Sequence, residues 1–184
     1  MVIESFRISA IFKGVTFRAA QAALLTKYNN MKGNPEVIAI LNSLLADELA
    51  AISQYMVHSE MCEDWGYSKL HKVIEERAFA EMRHAENLIK RILFLGGTPT
   101  VTRPSPIVIG EDIVEQLKND LKAEEEAIVA YNKAVRQIAQ LSDAGSRSLV
   151  AHTLRDEEDH LDWIETQLGL IEQLSLPTYL SKQL

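Results

Sequence analysis

Cysteine is nearly missing: Cys62 is the only one in 184 residues. That excludes a disulfide framework, a zinc ribbon and an iron site built on four thiolates. It is compatible with a reducing compartment, and the cytoplasm is the expected location. Glycine and proline are scarce, with eight and five, which favours long helices over many-turned β structure. No apolar run approaches the 18 or more residues of a membrane span, so no membrane partner is expected. Basic charge is also short. The net charge of −7 argues against nucleic acid as a partner and fits attraction of cations.

The first 30 residues differ from the rest. Arg7, Lys13, Arg18 and Lys27 face only Glu4, so a local charge of +3 precedes a body of −10. A basic, acid-poor, apolar start resembles a targeting presequence. The plainer reading is an extension, or translation from a start upstream of Met31. Residues 1–30 are therefore read as an N-terminal extension without a catalytic role, and 31–184 as the functional domain.

Helical signals begin at Asn34-Pro35-Glu36, an N-cap, a proline at N1 and an acidic first turn. Apolar residues at helical spacing (Val37, Leu41, Leu44, Leu45, Ile52, Tyr55) carry a first helix to about Gly66. A second starts at Tyr67 or Ser68 and stops at Gly96-Gly97. The stretch from Thr98 to Gly110 holds Pro99, Pro104 and Pro106 and reads as an extended crossover. A third helix is expected from about Glu111 to Leu141 and a fourth to about Gly169. Ser175-Leu176-Pro177 opens a short fifth. Short links within each pair and a long link between pairs predict an all-α, ferritin-like four-helix bundle rather than a simple up-and-down one.

Two Glu-x-x-His motifs lie on the second and fourth helices, Glu81-Met82-Arg83-His84 and Glu157-Glu158-Asp159-His160. Residues three apart share a helix face, so each motif can serve one centre. A single such motif in an acidic helical chain is weak evidence, because a solvated face gives the same pattern. Placement is what matters. Glu48 and Glu124, on the preceding helix of each hairpin, both lie 33 residues before the motif glutamate, and Tyr55 and Tyr131 follow them at the same offset. One glutamate from each of two helices plus Glu-x-x-His from the other two is the ligand set of di-metal carboxylate bundles. Four carboxylates offset two divalent ions, and oxygen with imidazole suits iron or manganese. Glu81 and Glu157 are the expected bridges, with Glu48 and Glu124 terminal. Glu125 and Glu126 beside Glu124 make that ligand the least determined. His58, His71 and His152 lack partners at ligand spacing and are assigned to surface or interface. Asp156, Glu158 and Asp159 are assigned to a solvated face, and Trp163 to core packing.

From Met31 onward the chain resembles the bacterioferritins. The resemblance rests on Asp47-Glu48-Leu49-Ala50-Ala51-Ile52-Ser53-Gln54-Tyr55, Glu81-Met82-Arg83-His84-Ala85-Glu86, Arg91-Ile92-Leu93-Phe94-Leu95-Gly96-Gly97, and Leu154 to Trp163. It implies that Glu48, Glu81, His84, Glu124, Glu157 and His160 are di-iron ligands of a ferroxidase centre, and Tyr55, near that centre, is expected to supply or relay electrons. It implies that Met82 is an axial ligand of haem b, paired with its copy across a two-fold interface. It further implies a 24-subunit homo-oligomeric shell that oxidises Fe²⁺ with O₂ or peroxide, stores ferric mineral and releases it through haem, with a small ferredoxin as reductant. Some members carry a His and an Asp on the cavity face where this chain has Glu76 and Ala80, so an inner-surface electron-transfer site is not expected, while Glu76 is left as a weak iron ligand. The alternative is a rubrerythrin-like peroxidase or oxidase without storage, and the lack of Cys-x-x-Cys pairs speaks against its rubredoxin module.

Overall fold

The computed structural model describes residues 33–102 and 104–184. The expectations for the N-terminal 30 residues lie outside that range. Among the described residues five helices follow in order: α1 Pro35–Asp64, α2 Ser68–Phe94, α3 Ile113–Gln140, α4 Ala144–Leu174 and α5 Leu176–Leu180. Among the described residues there is no strand, and no helix is long and apolar enough to cross a membrane.

Local chemistry sets the helix ends. The Asn34 side chain accepts from Glu36 N at 2.8 Å and Pro35 fills the first turn, as the sequence predicts. Asp112 caps α3 by accepting from Glu115 N at 2.9 Å, and Glu115 reaches back to Glu111 N at 3.0 Å. With Asp112 as the N-cap and Glu115 closing on the residue before it, α3 starts at Ile113, two residues later than the pattern suggests. The helix α4 runs through Gly169 and ends five residues beyond it. A mid-helix glycine costs about 1 kcal/mol, which packing of Leu168, Leu170 and Ile171 against the buried core outweighs.

The helices α1 and α2 form one antiparallel hairpin and α3 and α4 the other, with α1 also packed against α3. The crossover runs along α1 and is pinned to it at successive points. Asn42 bonds Thr98 O and Thr100 N, Ala46 O accepts from Ser105 N, and Gln54 Oε1 accepts from Val108 N at 3.0 Å. The last pin is His58 Nε2, which accepts from Gly110 N at 3.1 Å. A Cβ at Gly110 would come within 2.3 Å of Gln116 N, so glycine is required where the crossover meets α3.

Apolar side chains gather in two blocks. One contains Leu41, Leu45, Leu88, Ile92, Ile138 and Val150; the other contains Leu70, Ile74, Leu117, Ile164 and Tyr179. On every long helix the boundary between the blocks falls at the glutamates and histidines singled out above.

Candidate metal centre

The structure brings six sequence-assigned residues together, one glutamate each from α1 and α3 and a Glu–His pair each from α2 and α4. All are buried, with Glu48, Glu81, Glu124 and Glu157 at most 3% exposed. They form two overlapping groups: Glu48, Glu81, His84 and Glu157, and Glu81, Glu124, Glu157 and His160. In each, one ligand atom per residue lies within 4.8 Å of the others.

The shared glutamates divide their oxygens between the groups. Glu81 Oε2 lies 2.9 Å from His84 Nδ1 and its Oε1 lies 3.0 Å from His160 Nδ1. Glu157 does the same, with Oε1 3.2 Å from His84 Nδ1 and Oε2 3.3 Å from His160 Nδ1. Glu48 approaches only His84, at 3.7 Å, and Glu124 only His160, at 3.5 Å. Two carboxylates thus span a pair of positions and two cap them. The imidazoles stack across the pair with centroids 6.1 Å apart.

Several of these atoms have no hydrogen-bond partner among the described residues: Glu81 Oε1, Glu157 Oε1 and His160 Nδ1 are buried and unsatisfied. Glu81 Oε1 lies close to His160 Nδ1 and Glu157 Oε1 close to His84 Nδ1, yet without the alignment of a hydrogen bond. Lone pairs left unused in a buried site and aimed at a common point are what two cations would satisfy. The donor set of carboxylate oxygen and imidazole nitrogen suits iron, manganese or zinc.

Crowding of the carboxylates shows in their proton affinities. Burial, then repulsion from neighbouring carboxylates, raises Glu157 to about 9, and burial with repulsion from Glu81 raises Glu124 to about 8. Glu81 rises to about 7, burial again being the main cause, and Glu48 is raised as well. Burial alone would lower His84, but hydrogen bonds to Glu157, Glu48 and Glu81 outweigh it and hold the imidazolium well above its usual range. Without metal the cluster therefore holds protons, and metal binding would release them.

The two tyrosines cross over. Tyr55 on α1 donates to Glu124 on α3, and Tyr131 on α3 donates to Glu48 on α1. Burial, then the adjacent carboxylate, pushes both phenols well above the usual value, so they remain donors. A cavity of about 140 Å³ reaches this side of the cluster, between α1 and α3 and under Pro106 and Ile107 of the crossover. A second, of about 520 Å³, opens between α2 and α4 onto both imidazoles.

Two assignments change. His58 is not a surface residue: it is fully buried, and its Nδ1 bonds Asp120 at 2.9 Å. Asp120 also accepts from Gln54 at 2.8 Å, which satisfies a polar group that helical spacing alone left unpartnered. Asp156 does not simply face solvent, because its Oδ2 lies 3.1 Å from His84 Nε2. Both partnerships join different helices. The available signal was positional: His58 lies one turn from Tyr55 and Asp120 one turn from Glu124, on faces already known to be inward. His71 is half-buried on Ser59, while His152, Glu158 and Asp159 are exposed. Trp163 is partly buried against the core beneath the Arg77 guanidinium. Met82 is 46% exposed and Phe79, one turn earlier on α2, 43%.

Residues 38–174 match the ferritin-like domain family. A bacterial ferritin of Synechocystis sp. is 45% identical over 155 residues, covering 84% of this chain and 99% of the relative. One of Pseudomonas aeruginosa is 45% identical over 84% of this chain and its own full length. A bacterioferritin of Brucella melitensis is 41% identical over 81% of this chain and 92% of its own. Fold, family match and relatives agree, and the chain belongs to the ferritin family.

Proposed function

We propose that the chain is a bacterioferritin-type iron-storage subunit that oxidises Fe²⁺ at the six-residue cluster and deposits ferric mineral inside a homo-oligomeric shell. The observation that carries this reading is the division of the Glu81 and Glu157 oxygens between the two histidines. It supports two Fe²⁺ ions, as substrate, held side by side: one by Glu48, Glu81, His84 and Glu157, the other by Glu81, Glu124, Glu157 and His160. Two ferrous ions each give up one electron. Dioxygen takes both with two protons to become hydrogen peroxide, or peroxide takes them with two protons to become two waters. Four carboxylates balance the charge of two Fe²⁺ ions, so the cluster suits the substrate in charge as well as in donor type. Tyr55 and Tyr131 hold the terminal glutamates in place by donating to them.

The relatives' full-length match supports residues 31–184 as the shell subunit, with 24 copies as the proposed assembly and the cytoplasm as its compartment. The exposed Met82 thioether beside Phe79 fits an axial ligand for haem b shared with a second subunit. Bound haem would supply a one-electron route for reducing the mineral, with a ferredoxin as donor.

Glu48→Ala combined with Glu124→Ala tests the centre. Rapid Fe²⁺ oxidation, followed by ferric absorption after mixing with O₂, should disappear while the particle's elution volume on size exclusion is unchanged. Oxidation at the unmodified rate would refute the site. A dimer that turns over peroxide without accumulating mineral would refute storage.

A further inference from the structure

The two halves of the cluster differ on the side facing the larger cavity. Corresponding residues are offset by a constant 76 positions: Glu48 and Glu124, Tyr55 and Tyr131, Glu81 and Glu157, His84 and His160. The residue before Glu157 is Asp156, whose carboxylate receives the outer nitrogen of His84 at 3.1 Å. Its counterpart before Glu81 is Ala80, a methyl group that accepts nothing. Ala80, Asp156 and both imidazoles line the same cavity of about 520 Å³. Among the described residues, His84 is hydrogen-bonded through both ring nitrogens, and His160 through neither.

We propose that Asp156 is a positioning residue for His84, and that Ala80 leaves His160 without the equivalent support, so the chain takes up two divalent ions with unequal affinity, the first on the His84 side. This rests on the reading of the cluster as a two-metal centre. An imidazole can ligate through Nδ1 only if that nitrogen carries a lone pair, which puts the proton on Nε2. A carboxylate accepting Nε2–H fixes that tautomer, holds the ring plane and raises the basicity of the ligating nitrogen. Such partners are worth about 10- to 100-fold in metal affinity. Asp156 is well placed for this because it precedes a bridging glutamate on the same helix, so its own backbone is fixed by the centre it serves. Its side chain is 37% exposed, so replacing it leaves no buried void. The plain alternative is an ion pair that only joins α2 to α4, and the two roles predict different metal behaviour.

The probe is Co²⁺, added anaerobically to the full-length protein and followed by its visible absorption in competition with a chelator. The wild-type protein should bind two equivalents in two steps about tenfold or more apart. Asp156→Ala should weaken the tighter step about 10- to 100-fold and leave the other unchanged. Asp156→Asn, whose carbonyl can still accept Nε2–H, should recover most of that loss. Ala80→Asp should tighten the weaker step by about tenfold or more, without adding a third equivalent. In the Co²⁺-loaded protein the His84 Nε2–H proton should be slow to exchange and become fast in Asp156→Ala. Two equal steps in the wild type, no response to Asp156→Ala, or a third ion in Ala80→Asp would each overturn the inference while leaving the two-metal centre standing. Failure of the wild type to bind two ions would overturn the centre itself.

Discussion

The tyrosines and glutamates of the centre tie the two hairpins together one residue at a time. Tyr131→Phe removes the donor to Glu48 and leaves a buried carboxylate without a partner that held it toward its metal position. The expected result is about tenfold weaker metal binding on the His84 side, read by the same Co²⁺ titration, with helicity unchanged by circular dichroism. Tyr55→Phe should do the same on the His160 side through Glu124. Cys62 is inert by comparison: burial pushes its thiol up to about 12, so it should resist alkylation until the protein unfolds.

The crossover depends on α1 for its backbone hydrogen bonds, and its last anchor, His58, is itself held by the buried Asp120 of α3. His58 Nε2 accepts from Gly110 N, so Nδ1 carries the proton given to Asp120. His58→Ala deletes that donor and leaves Asp120 buried with Gln54 as its remaining partner. A loss of about 3 kcal/mol is expected in chemical denaturation, with faster hydrogen exchange at residues 107–110 than at α2. The helices, their first caps and the existence of the crossover were legible in the sequence because each is written in local chemistry: Asn34 and Pro35, the Gly96-Gly97 stop, and three prolines in thirteen residues. The partners of His58 and Asp156 were not, because they sit on other helices 62 and 72 positions away. The extension of α4 past Gly169 escaped for the same reason, since tertiary burial of its last turns overrides a local stop signal.

At the scale of the whole subunit, the centre trades stability for function. Glu81, Glu124 and Glu157 titrate at about 7, 8 and 9 in the folded chain against an ordinary 4.5, so between those values the native state binds more protons than the unfolded one. The raised His84 acts in the same direction above its ordinary 6.5, holding a proton the unfolded chain has released. Stability of the metal-free protein must therefore fall as pH rises from about 5 to 9. A drop in Tm on the order of 5 °C or more is expected, measured after chelation, and divalent metal should flatten the curve because it replaces those protons. A Tm that climbs over this range would contradict the cluster's electrostatics.

The placement of the centre between two complete apolar blocks also sets the order of events in the protein's life. Each block joins helices from both hairpins without using a metal ligand, so the bundle has a fold to fall into before any ion arrives. A zinc finger is the opposite case, where metal and fold come together and a chelator undoes both. Here chelation should empty the centre and leave the helices folded, which circular dichroism would show. Under the proposed function, the same arrangement would let iron enter and leave the centre without unfolding the chain.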